Sequence, residues 1–166
     1  MNVSSLKEEF KQYDACLFCL GVSSVGIKED EYFRLTHTLT LHFATTYCQA
    51  NANAQFCYIS GAGTDSSEKG RMNWARVKGK TENDLMKLPF KTLYCFRPGM
   101  LQPTKGLINT LSYYKYFGWL FPIIKLLMPN SASTLKQLGL AMINAISIGY
   151  SKQILEVSDI IQLSKK

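Results

Sequence analysis

What most constrains the fold of this chain is a rhythm. Short, unbroken apolar runs stop at small or turn-forming residues, and longer segments with helical spacing separate them. The runs are residues 15–21 (ACLFCLG), 55–60 (QFCYIS) and 91–96 (KTLYCF). A strand that is apolar at nearly every position is one buried on both faces, as in a parallel sheet covered by helices. Residues 29–50 open with Glu29, Asp30 and Glu31, which suit the positive end of a helix dipole. Tyr32, Leu35, Leu39 and Phe43 then recur at helical spacing. Residues 64–70 read as a loop, and residues 71–88 as a helix stopped by Pro89. Residues 134–148 form a further helix, with Leu135, Leu138, Met142 and Ile146 on one face and Gly149 as its stop. A last strand is expected over 153–157 and a short helix over 159–164. Strands alternating with helices make βαβ units, hence an α/β fold with a parallel sheet and flanking helices.

Composition narrows the function classes. The 166 residues suffice for one domain, taken as 1–166, with a helical insertion over 104–131. The net charge of +7 is spread over scattered lysines, with no nucleic-acid-binding signature, so no nucleic acid partner is expected. Five cysteines sit mostly in apolar runs behind a polar N-terminus, which reads as a reduced, cytoplasmic protein with buried thiols. Cys16 and Cys19 form a CxxC, but odd spacing within a strand points them to opposite faces, and no metal site is expected. His37 and His42 do not share a helical face and show no acidic partners in sequence. No apolar run is long enough to span a bilayer.

Parallel sheets bind ligands beyond the carboxyl ends of their strands. Those ends are Gly21-Val-Ser23, Ser60-Gly-Ala-Gly63 and Arg97-Pro-Gly-Met100. Small residues there let a ligand approach the backbone. Trp74 and Lys78, at i and i+4, share a face of the helix that follows Ser60. Gly79-Lys80-Thr81 looks like the tail of a P-loop, but position 74 is not glycine and the triplet lies inside a helix.

Taken together, residues 14–21, Phe56-Cys-Tyr-Ile-Ser60, Trp74 with Lys78, Gly79 and Glu82, and Phe96-Arg-Pro-Gly99 resemble the active-site half of the short-chain dehydrogenases/reductases. The similarity is to atypical members: NAD(P)-dependent epimerase/dehydratase, NmrA-like and Tat-interacting-protein-like proteins. It runs from about residue 13 to the C-terminus and is strongest over 55–103. The resemblance implies a Rossmann-type doubly wound parallel sheet, truncated because the first βαβαβ half with its Gly-rich turn is absent. It implies NADP or NAD as cofactor, with binding impaired by that absence, and an unknown small-molecule substrate. Ser60 matches the serine that contacts a substrate carbonyl, and Lys78 the lysine on the nicotinamide ribose. Gly21, Gly61, Pro98, Gly99 and Met100 match backbone positions along the cofactor. Trp74 stands where the family has its catalytic tyrosine. Indole N–H is a donor that does not titrate usefully, so the family's proton relay is not available by that route.

Three functions follow as expectations. One is an oxidoreductase or epimerase, catalytically degenerate in this form. The second is a non-catalytic NAD(P)-sensing or protein-interaction module, which Trp74 favours. The third is a membrane-peripheral protein using the aromatic segment 107–128, for which a lid or packing helix is the preferred alternative. With the first half absent, the strand at 15–21 becomes an edge that is apolar on both faces, and self-association through it is expected.

Overall fold

The computed structural model describes residues 3–102, 104 and 131–166. A turn of 3₁₀-helix at Val3–Leu6 runs into the single turn α1, Lys7–Phe10. Then come β1 (Ala15–Phe18), α2 (Glu29–Phe33), a π-turn at Arg34–Thr38, α3 (Leu39–Ala50) and β2 (Gln55–Ile59). They are followed by α4 (Asn73–Leu85), β3 (Thr92–Phe96) and β4 (Met100–Gln102). After residue 131 lie β5 (Ala132–Thr134), α5 (Leu135–Ile148), β6 (Ile154–Leu155) and α6 (Val157–Leu163). The insertion at 104–131, and with it the aromatic segment 107–128, falls almost wholly outside the described residues.

Four strands form one parallel sheet in the order β1-β2-β3-β6. Ala15 is in register with Gln55, Gln55 with Thr92, and Cys95 with Ile154. Alternation along the strands sorts side chains into two cores. Phe56, Tyr58, Leu93 and Cys95 pack with Phe10, Ala44, Tyr47 and Leu85 on one face. Cys57, Tyr94 and Phe96 pack with Leu138, Ala141, Met142 and Ile160 on the other. The architecture is thus a parallel α/β sheet with helices on both faces, compatible with doubly wound winding.

Two details differ from expectation. The helix over 29–50 buries Tyr32, Thr36, Thr40, Ala44 and Tyr47, while Leu35, Leu39 and Phe43 are only partly buried. The π-turn at 34–38 inserts a residue and rotates the face. Thr40 tolerates burial because its hydroxyl donates to the Thr36 carbonyl at 2.6 Å. Met100, expected in a loop, opens β4, which pairs in parallel with β5 as a separate two-stranded sheet. Thr134 and Gln137 then close a capping box on α5, and Gly149 ends that helix with a φ of 76°. Gly79-Lys80-Thr81 lies within α4 and forms no part of a strand-to-helix turn.

Candidate functional site

The C-terminal ends of β2 and β3 lie side by side, because the two strands run parallel and in register to Ile59 and Phe96. Ser60 N–H donates to the Phe96 carbonyl at 2.9 Å, and Ala62 N–H to the Pro98 carbonyl at 2.8 Å. The Ser60–Gly63 turn leads into a loop that brings α4 back across the strand ends. Asp65 stabilises that loop by accepting from Ser67 N–H at 3.0 Å and Gly70 N–H at 2.6 Å. Gly79 lets α4 pack on the loop, since a Cβ there would lie 1.8 Å from the Asp65 carbonyl oxygen.

That packing brings Ser60, Gly61, Trp74 and Lys78 together. Lys78 Nζ donates to the Ser60 carbonyl oxygen. Burial pushes the Lys78 pKa below its ordinary value, and nearby Glu82 opposes the shift. The Trp74 ring closes over the turn: a Cβ at Gly61 would meet it at 4.0 Å, and one at Gly63, where φ is 85°, at 3.5 Å. Gly99 approaches the chain at Ser131 so closely that a Cβ would fall 2.1 Å from that carbonyl oxygen. Its smallness therefore serves backbone packing beside β5. Gly21 lies apart from this group, with open space around it.

Beneath the turn lies a network that the sequence displays only as fragments. Glu82 is fully buried. Arg97 grips it in a two-point fork, Nε to Oε1 at 3.1 Å and Nη2 to Oε2 at 2.5 Å. Arg97 also donates to Ser66 Oγ at 2.5 Å and to Glu156 Oε1 at 3.2 Å. The Ser60 hydroxyl donates to Glu82 Oε1 at 2.5 Å. One carboxylate–guanidinium pair thereby ties the ends of β2 and β3 to α4 and to the residue that caps α6. Glu82 was legible as a charge four residues after Lys78, on the helix stripe that continues to Leu85. Arg97 reads in sequence only as part of a turn.

His37 corrects the view that the histidines lack acidic partners. Its Nε2 lies 2.8 Å from Asp84 Oδ2, a contact between the π-turn and α4. The five cysteines are free thiols, and burial pushes Cys16 up to about 12. Among the described residues no group of His, Cys, Asp and Glu is arranged to hold a metal ion, and no helix is long and apolar enough to cross a membrane.

The geometry itself tests how these residues suit a dinucleotide. Lys78 has donors beyond the one given to Ser60, and Trp74 supplies a flat wall, so the two suit a polar ligand with a planar part. Ser60 is 3% exposed and its hydroxyl already donates to Glu82, so it is not poised to donate to a substrate carbonyl. Of the three side chains, Ser60 is engaged by Glu82 and the Trp74 indole N–H does not titrate usefully, which leaves the Lys78 amine as the titratable group.

Compared with protein-family models and with curated proteins, the chain matches none. What stands is the coarse architecture, a parallel α/β sheet flanked by helices and Rossmann-like in outline. It does not single out the short-chain dehydrogenase family.

Proposed function

We propose that the chain is a non-catalytic binding module of Rossmann-like architecture that takes NADP or NAD over the C-terminal ends of β2 and β3. One observation carries this reading: Lys78 Nζ sits at the end of β2 beside an indole wall, while Glu82 occupies the Ser60 hydroxyl. The cation and the wall favour binding; the engaged hydroxyl and the indole argue against turnover. The choice of a dinucleotide comes from the sequence resemblance, and Lys78 is its expected polar contact.

The test is a titration of the full chain carrying Trp119→Phe, which leaves Trp74 as the sole tryptophan. NADPH and NADH are added while indole fluorescence and the absorbance of the reduced nicotinamide are followed. Saturable quenching without oxidation is the expected result. Lys78→Met is expected to weaken binding about tenfold, or about 1.4 kcal/mol. Absence of saturable quenching overturns the reading, and steady oxidation of the nicotinamide with a carbonyl substrate replaces it with an oxidoreductase.

A further inference from the structure

Trp74 and Lys78 occupy one face of α4. Asn73, Arg76, Val77 and Lys80 occupy an adjoining face, where with Phe33 and Glu68 they line a cavity of about 220 Å³. Nothing at the strand ends accounts for it.

Arg76 is the first reason to assign it a ligand. Its Nη1 donates to the carbonyls of Gly70 at 2.8 Å and Arg71 at 3.0 Å, and its Nη2 to Asn73 Oδ1 at 3.2 Å. A guanidinium has five N–H donors, so two remain. Each of these acceptors is neutral, and among the described residues no carboxylate pairs with Arg76. The guanidinium is held in place by neutral acceptors, with no carboxylate hydrogen-bonded to it.

The second reason is a flat wall of fixed orientation. The Phe33 ring stacks on His37 with centroids 4.5 Å apart and planes 26° from parallel. His37 is anchored on Asp84, which also takes Lys80 Nζ at 3.0 Å. The third is backbone irregularity on both sides of the cavity. The π-turn at Arg34–Thr38 begins directly after Phe33. Glu68 holds a φ of 61°, in the left-handed region that residues other than glycine seldom adopt. Such features gather at ligand sites.

We propose that this cavity binds a small ligand consisting of one oxyanion, a carboxylate or a phosphate, on a flat apolar body. The oxyanion takes the two spare N–H groups of Arg76, while Lys80, paired with Asp84, offsets the Glu68 carboxylate on the same cavity. The body lies against Phe33 and Val77. Glu68 accepts from Asn83 Nδ2 at 2.8 Å and lies 4.0 Å from Lys80, so its carboxylate repels a second anionic group on the ligand. The assignment shares no residue with the dinucleotide reading and stands or falls apart from it.

The experiment is a titration of the isotopically labelled full chain with benzoate, phenyl phosphate and inorganic phosphate at constant ionic strength. Backbone amides of residues 33–38 and 68–80 are followed by NMR. At least one aromatic anion is expected to move them saturably and to bind about tenfold more tightly than inorganic phosphate. Whichever aromatic anion binds more tightly identifies the head group. Phe33→Leu keeps apolar bulk and is expected to abolish the preference for the aromatic anions. Arg76→Lys keeps the charge but loses the fork, and is expected to weaken both by about tenfold. Should Arg76→Lys lose the native amide pattern, Phe33→Leu still decides. Shifts that do not saturate, failure of both aromatic anions to bind more tightly than inorganic phosphate, or affinities unchanged by Phe33→Leu overturn the assignment.

Discussion

Glu82 places a carboxylate where no water reaches it, and Arg97 is what makes that tolerable. Breaking a buried pair by removing one partner costs about 3–5 kcal/mol, because the other charge is left uncompensated. A domain is held by about 5–15 kcal/mol in all, so the loss is a large share. Arg97→Met is therefore expected to lower the denaturation midpoint sharply. The double variant Glu82→Leu with Arg97→Met is expected to recover much of the loss in a denaturant double-mutant cycle. Additive losses would show that the two residues act independently. Asp84 has a different electrostatic signature. Burial alone raises its pKa, but hydrogen bonds from Lys87, His37 and Lys80 outweigh this and hold it well below the usual carboxylate range. The unfolded chain takes up a proton near the ordinary value of 3.8 while the folded chain stays ionised. The contribution of Asp84 is thus complete above about pH 5 and is lost as the pH falls below about 4. Asp84→Asn is expected to lower stability at neutral pH and to flatten the decline on acidification, measured by urea unfolding at a series of pH values.

Glycine in the interior of a helix shows how one substitution changes sign between elements. On propensity alone, Gly→Ala stabilises a helix by about 1 kcal/mol. In α5 the Cβ of Gly139→Ala meets nothing within 4 Å, so the propensity gain is expected in full as a raised thermal midpoint. In α4 the Cβ of Gly79→Ala falls 1.8 Å from the Asp65 carbonyl oxygen, a backbone atom that cannot swing away. Gly79→Ala is expected to destabilise by about 1–3 kcal/mol, as overpacking does. If Gly79→Ala melts at or above the parent, α4 does not pack on the loop as described. The same elements show what patterning conveys. The strands at 15, 55 and 92, the acidic start at Glu29 and the stop at Gly149 were legible because each rests on local chemistry. The rotated face of the 29–50 helix was not, because the π-turn and the back-bonding threonines depend on what α4 and the sheet present to that helix.

At the scale of the molecule, β1 is the outer strand of the four-stranded sheet. Among the described residues its one strand neighbour is β2. Asp14 accepts from Gln55 N–H at 2.9 Å, so by alternation the N–H and C=O groups of Ala15 and Leu17 point away from the sheet. Leu17 is 41% exposed, and an apolar groove lined by Phe10, Tyr13, Phe43 and Tyr47 runs beside it. An edge without a charged side chain invites pairing. The chain is expected to self-associate with rising concentration in light scattering, and Leu17→Lys to suppress it; a concentration-independent monomer removes the idea. The amino-acid sequence by itself determined the alternation of strand and helix, the parallel sheet and the small residues at the strand ends, since each follows from periodicity and backbone sterics over a few neighbours. Only the tertiary structure decided that Ser60, Glu82 and Arg97 form one hydrogen-bonded unit and that Arg76, Phe33 and Glu68 share a cavity. Those groupings join residues far apart in the chain, and hydrogen-bond commitments become visible only once the chain has brought them together.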